Sequence, residues 1–302
     1  MSDCAETSWT VMPLKGVHWG RDAEVPLGDG LALIRTDERL LAAADGLFLG
    51  KVQIGDVGKS ECFLVLRTSG PDETDAFTAV EQLQDALMAL QIIKPIETFG
   101  LIFFGTQMST GNIRWHGTND RGWGMRAGQW AQMRAFDEPL LERAKTLLNP
   151  VRQTLKGPDI AKRNAVHLLQ LALEHPHPLI ACMLAVTGME AIFDSADRRD
   201  FERKICALLG ESTLAFPDWN SPQWAPPKYT VKDLAVHLYT LRSKIAHGAD
   251  LLSAKLDKNS PVDFSTMKEY IEGLDAVQYA TLLGESAIYL LCQVLQKTVA
   301  TL

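Results

Sequence analysis

The chain has 302 residues, of which 46% are hydrophobic and 22% charged, and its formal net charge is -7. This composition is typical of a globular protein with enough apolar side chains for one large core or two ordinary ones. The acidic balance argues against a protein that coats nucleic acid non-specifically, because such binding needs a basic surface. Any nucleic-acid site must therefore be compact.

The five cysteines are scattered and include no C-x-x-C pair, which predicts a reducing compartment without disulfides or a zinc knuckle. The first ten residues lack the charged and apolar segments of a signal peptide. The longest apolar run, Leu179 to Phe193, is too short to span a bilayer and contains Glu190. We therefore expect a soluble, cytoplasmic protein with no membrane partner.

The first part of the chain is expected to mix strands and helices. Strand-like runs occupy 46–52, 62–67 and 99–105, and a Gly- and Trp-rich stretch over 111–131 predicts a hairpin or an ordered loop. One amphipathic helix ends at Lys94-Pro95. Its apolar positions, three or four residues apart, are Phe77, Val80, Leu83, Leu87 and Leu90.

Helical periodicity dominates from about residue 136 onwards. We predict helices at 137–155, 159–174, 178–195, 199–209, 231–247 and 264–298, with a proline-rich loop over 212–229. The predicted fold class is α+β. A mixed α/β N-terminal domain over 1–140, with a sensing or regulatory role, would precede an all-helical domain over 141–302.

The helix near 179 carries one carboxylate among apolar side chains. Positions 179, 183, 186, 190 and 193 form a stripe in which Glu190 is the only charged residue. An unpaired buried charge costs several kcal/mol, so Glu190 needs a partner. Two interpretations remain open: Glu190 orients Arg242, or it forms a purely structural ion pair or hydrogen bond.

The helix near 231 begins with Thr230 as N-cap and Asp233 in its first turn. Leu234, Leu238, Leu241 and Ile245 make its core stripe. His247 falls on the last turn, because Gly248 is a natural residue for ending a helix.

Arg242 and His247 form an R-x4-H motif followed by Gly248. The segments VTGMEAIFDS at 186–195 and FERKICALL at 201–209 precede it. In order and spacing these segments resemble the HEPN family, and particularly its Apea-like branch, over roughly residues 140–300.

The resemblance implies an all-helical, HEPN-like bundle and a metal-independent endoribonuclease of the kind found in toxin–antitoxin, abortive-infection and anti-phage systems. HEPN proteins pair so that two such motifs face each other, which implies a homodimer acting on RNA. Arg242 and His247 would be catalytic, and Ser243 matches the polar residue that commonly follows the arginine. The tyrosine that accepts AMP in some HEPN toxins has no counterpart here, since Gly248 to Asp250 follow the histidine.

The side-chain chemistry agrees with this expectation. RNA carries its own nucleophile, the 2′-OH, so cleavage needs a proton-transfer group and a cation for the charged phosphorane. Histidine serves as acid or base near neutral pH, and the arginine fork matches phosphate oxygens. On an ideal helix, residues five apart point about 140° away from each other. Arg242 and His247 of one chain therefore converge only if the last turn distorts or two chains contribute.

Several alternatives stay open at this stage. Arg242 and His247 would also suit the dipole of a helix C-terminus, and Lys244 either holds phosphate or is a solvated surface lysine. The chain would then be a non-catalytic, HEPN-like module that binds RNA, a nucleotide or a protein and dimerises. The charged segment around Arg203 and Lys204 predicts a salt-bridged helix face. We expect no cofactor and no metal, and a protein or nucleotide regulator as a further partner.

Overall fold

The computed structural model describes residues 7–17, 19, 22–36, 40–41, 58–69, 76–120, 136, 138–213, 230–246 and 276–300, with the backbone alone at 119–120, 244, 276–280 and 282. The chain divides into two compact units, 1–152 and 153–302. The sheet belongs to the first unit, and most helices belong to the second, so the α+β class is confirmed. Both this division and the boundary predicted after residue 140 fall inside the helix Glu138–Lys156, the predicted one in its first turn.

Seven strands of the first unit form one antiparallel sheet. They are β1 (Thr7–Lys15), β2 (Glu24–Gly28), β3 (Leu31–Arg35), β4 (Cys62–Ser69), β5 (Glu97–Thr98), β6 (Leu101–Gln107) and β7 (Ile113–Asp120). Their order is β2-β3-β4-β1-β6-β7, and β5 pairs with the end of β1. Strands β4 and β6 correspond to the runs predicted at 62–67 and 99–105. The run at 46–52 and residues 121–131 lie outside the described residues.

Helix α1 (Ala76–Ile93) confirms the amphipathic helix, with Val80, Leu83 and Leu87 buried. Phe77, placed on the same stripe from the sequence, is instead 69% exposed. Residues three apart on a helix differ in direction by about 60°, so a series of such spacings does not stay on one line. Phe77, at the start of the series, points about 100° from the centre of the buried stripe.

The two faces of the sheet are covered differently. One face carries an apolar cluster around Phe63 and Phe103. No residue of α1, which is described throughout, belongs to that cluster, although α1 packs on β1 and β4. Helix α1 therefore covers the opposite face, on which Met12 and Leu64 are buried.

Six further helices follow in the described residues. They are α2 (Glu138–Lys156), α3 (Ile160–Glu174), α4 (Pro178–Phe193), α5 (Arg198–Leu209), α6 (Val231–Ala246) and α7 (Ala276–Val299). Each overlaps a helix predicted from the sequence. Residues 264–275 of the last predicted helix lie outside the described residues, as does position 247 at the end of α6.

Capping side chains fix the helix ends that position the site. Thr230 and Asp233 hydrogen-bond each other reciprocally at the start of α6, which confirms the predicted N-cap and gives Asp233 a second role besides its favourable charge. The Lys204 ammonium donates to the carbonyls of Phe193 and Asp194, which closes the C-terminal end of α4. Lys204 also lies 2.7 Å from Asp200, which also pairs with Arg203 on α5, so the salt-bridged face is confirmed.

Helix α4 is central to the second unit and packs against α3, α6 and α7. Two glycines allow α4 and α7 to approach closely: a Cβ on Gly188 would lie 3.0 Å from Leu291, and one on Gly284 would lie 2.6 Å from the carbonyl oxygen of Pro178. Pro178 at the start of α4 meets Gly284, and Gly188 further along α4 meets Leu291 further along α7, so α4 and α7 run parallel. Among the described helices, none is singly long and apolar enough to cross a membrane, and only α4 with α5, bent by 79°, meets those criteria as a pair.

Gly284→Ala tests this close approach. Alanine favours a helix interior by about 1 kcal/mol over glycine, so an uncrowded site would be stabilised. Here the added methyl group meets backbone, and we expect the free energy of unfolding to fall by about 1–3 kcal/mol in denaturant titrations. Arg199→Ala, an exposed substitution on α5, serves as control and should change it by less than about 0.5 kcal/mol. A more stable Gly284→Ala protein would contradict the packing.

Candidate functional site

Glu190 lies at the edge of the buried face of α4. The buried positions include Cys182, Ala185, Val186 and Met189. Glu190 points about 90° from the centre of these four positions, and 14% of its side chain is exposed. The apolar stripe predicted at 179, 183, 186, 190 and 193 is therefore not the buried one, and its prediction is wrong. The packing of α3 and α7 selects a neighbouring stripe of a helix that is apolar on most sides.

Arg242 occupies the corresponding edge of α6. Leu234, Leu238 and Leu241 form the core stripe and are 1%, 0% and 8% exposed, while Ile245 is half-buried. Arg242 points about 75° from the centre of that stripe, and 32% of its side chain is exposed. Its aliphatic part therefore packs at the border of the core while the guanidinium reaches the surface.

The two residues form an ion pair between α4 and α6. Arg242 Nη2 lies 3.0 Å from Glu190 Oε2. That oxygen is buried, and within the described part of the chain it accepts no hydrogen bond of good geometry. The contact is thus mainly electrostatic. Burial raises the pKa of Glu190 above 4.5, and the neighbouring Arg242 offsets only part of that rise.

An aromatic cluster joins three helices beside this pair. The ring of Phe201 on α5 lies 6.0 Å from that of Phe193 on α4 and 5.3 Å from that of Tyr239 on α6. Tyr239 precedes Arg242 by three residues, so the two occupy neighbouring positions on the helix surface. Phe193 belongs to the stripe predicted from the sequence, whereas Phe201 and Tyr239 were not predicted to be important, although the i, i+3 spacing of Tyr239 and Arg242 was available as a signal.

The structure brings Arg242 and Glu190 together and places Ser243 next to Arg242, half-buried and pointing to the other side of α6. The side chain of Lys244 and all of His247 lie outside the described residues. The expected convergence of Arg242 with His247 therefore stays a prediction.

The described residues contain no group of three or more His, Cys, Asp or Glu side chains that could hold a metal ion. The described cysteines are free thiols. Burial raises the pKa of Cys182 to about 12 and, together with nearby carboxylates, that of Cys206 to about 11. Both groups are therefore protonated at neutral pH and poor nucleophiles.

Comparisons of the chain with protein-family models, with curated proteins and with solved structures found no match.

Glu190→Gln tests the electrostatics of the pair through pH. Because the pKa of Glu190 is raised in the folded protein, its ionisation costs stability as the pH rises above 4.5. The free energy of unfolding of wild type should therefore fall relative to that of Glu190→Gln over that range, and the difference should level off once Glu190 is fully ionised.

Denaturant titrations at several pH values measure this difference. Glu202→Gln on α5 controls for the loss of one negative charge from the same unit. A wild type that gains stability relative to Glu190→Gln as the pH rises would show that attraction by Arg242 outweighs burial.

Proposed function

We propose that the chain is a metal-independent endoribonuclease of the HEPN type, cytoplasmic, homodimeric through its helical domain, and active in host defence or as a toxin. The observation that carries the proposal is the presentation of Arg242. Its guanidinium is one-third exposed near the end of α6, and Glu190 contacts it from the neighbouring helix.

Arg242 would bind the scissile phosphate. A guanidinium has five N–H donors in a planar fork, and Glu190 faces the Nη2 corner. The rest of the fork suits the oxygens of a phosphate and the charge that grows on them during cleavage. Glu190 would act as a positioning residue, because its contact limits the rotamers that the arginine can adopt.

His247 would move the protons. A group that titrates near neutrality can accept the 2′-OH proton and return a proton to the leaving 5′ oxygen. The products would be a 2′,3′-cyclic phosphate and a 5′-OH, and DNA would not be cut because it lacks the 2′-OH. Ser243 and Lys244 would support the site by contacting the substrate backbone.

Two chains would complete the site. On a regular helix, Arg242 and His247 point about 140° apart, so one chain does not easily direct both to the same phosphate. Pairing two copies at the end of α6 supplies an arginine and a histidine from opposite sides. The domain over 1–140 would then sense a signal or hold this activity in check.

The first test is cleavage of a mixed RNA pool in the presence of EDTA. Wild type should cut and leave 2′,3′-cyclic phosphate ends. Arg242→Ala and His247→Ala should each lower the rate by at least about a hundredfold, because each removes one of the two chemical functions. Arg242→Lys, which keeps the charge but loses the fork, should recover only part of the rate.

Arg199→Ala removes an exposed arginine elsewhere in the helical unit and should cut like wild type. Unchanged cleavage by both Arg242→Ala and His247→Ala would refute the assignment of the site. An inactive wild type that is a confirmed dimer and binds RNA would favour the second candidate below.

A mixing experiment tests whether the site is shared. Dimers of Arg242→Ala and of His247→Ala are unfolded together, refolded and compared with each variant alone. A mixed dimer carries one intact arginine and one intact histidine on different chains, so we expect cleavage to rise above that of either variant. Failure to rise, with mixed dimers shown by mass spectrometry, would place both groups of a site on one chain.

The second candidate is a non-catalytic, HEPN-like module that binds RNA, a nucleotide or a protein. The ion pair favours this second candidate, because Arg242 already pairs with Glu190 and so links α6 to α4 without any substrate. If the chain is such a module, His247→Ala should dimerise and bind its ligand as wild type does, and wild type itself should not cleave RNA.

A further inference from the structure

The α1 face of the sheet ends in a row of polar side chains. Thr68 lies opposite Ser8, Ser8 opposite Thr106, and Thr106 opposite Arg114. Directly opposite residues point to the same face, so these four side chains form one line across β4, β1, β6 and β7. Alternation along β1 assigns this line to the face of Met12, which is the face covered by α1.

The row is less buried than the middle of that face. Helix α1 begins seven residues after Ser69, the neighbour of Thr68, and leads into β5, which pairs with Leu14 and Lys15 at the far end of β1. At the near end, Ser8, Thr68 and Thr106 are only half-buried and Arg114 is exposed, whereas Met12 is 4% exposed.

The four side chains are also unused within the described structure. None of them has a hydrogen bond or an ion pair with another described residue. The opposite face provides a contrast. There Arg67 lies on the ring of Trp9, at 4.4 Å, and makes two hydrogen bonds to Glu24.

An aromatic ring adjoins the row. Phe104 precedes Thr106 by two residues on β6, so it points to the same face, and it is half-buried. Its cross-strand neighbour is Gly117, where an added Cβ would lie 3.7 Å from the Phe104 ring. Because glycine has no side chain, the ring lies against backbone and nothing from that position covers it. The register of β6 and β7 shifts by one residue between Phe104 and Gly105, so Phe104 and Arg114 lie on the same face on either side of a β-bulge.

We propose that Ser8, Thr68, Phe104, Thr106 and Arg114 form a binding surface for a nucleoside phosphate. The base stacks on Phe104, and the phosphate accepts hydrogen bonds from Arg114 and the neighbouring hydroxyl groups. The row contains no carboxylate, so its donors match an anion rather than a cation. The ring beside the donors selects an anion that carries an aromatic group.

The experiment measures binding of AMP, and of a short oligouridylate, to the full chain by calorimetry with EDTA present. Arg114→Ala should weaken AMP binding by about tenfold or more, as expected for hydrogen bonds to a charged group. Phe104→Leu should weaken it by about tenfold through lost stacking. Thr118→Val on β7, opposite Phe103 and hence on the other face, is the matched control and should leave the affinity unchanged.

Comparing AMP with the oligouridylate shows whether the surface binds free nucleotides or single-stranded RNA. Comparing the Arg114 and Arg242 variants distinguishes this surface from the proposed nuclease site. Binding of AMP alone assigns the surface to free nucleotides. Binding of the oligomer, when weakened by Arg114→Ala in an Arg242→Ala background, assigns it to single-stranded RNA. In the Arg242→Ala background, which lacks the phosphate-binding arginine of the proposed nuclease site, Arg114→Ala should still lower the affinity for AMP. The proposal is overturned if neither probe binds wild type, if Thr118→Val weakens binding as much as Arg114→Ala, or if only Arg242→Ala abolishes AMP binding.

Discussion

The carboxylate of Glu190 has to be accommodated at a helix interface, and this constraint positions Arg242. Most of the Glu190 side chain is removed from water, and the one charged group within reach in the described structure is the guanidinium 3.0 Å away. Burial still dominates the pKa of Glu190, so the pair adds little net stability. Its main physical consequence is geometric: α4 and α6 hold a partly exposed arginine at one place, with part of its fork directed away from Glu190.

A second constraint, the alternation of side chains along strands, divides the sheet into two surfaces with different chemistry. On one face, Gly105 leaves room for Trp115, since an added Cβ would lie 2.8 Å from that ring. Arg67 stacks on Trp9 and pairs with Glu24 through both terminal nitrogens on the same side. On the other face, Arg114 occupies an equivalent row without such partners among the described residues. Two arginines on neighbouring rows of one sheet therefore differ in availability because of which way their side chains point.

The sequence predicted the helices well because each has local signals. Apolar spacing gave the buried face of α6 and most of that of α1, and capping residues such as Thr230 and Asp233 gave the start of α6. It predicted that Glu190 needs a partner, but not the stripe on which Glu190 lies. A helix that is apolar on most sides does not encode which neighbours will cover it. The polar row of the sheet was missed for a related reason, since Thr68, Ser8, Thr106 and Arg114 are far apart in sequence and meet only through strand register.

The acidic balance of the chain bears on both candidate sites. With a net charge of -7, long-range attraction does not gather polyanions on this protein, so phosphate binding must come from short-range contacts. Arg242 and Arg114 each meet that requirement within their own unit, one beside a carboxylate that fixes it and the other beside hydroxyl donors and an aromatic ring. Binding that depends on a few directed hydrogen bonds is less sensitive to salt than binding by a basic patch. Such binding would also require the ligand to fit, so the two proposed sites would be selective, whereas a basic patch would bind nucleic acid in general.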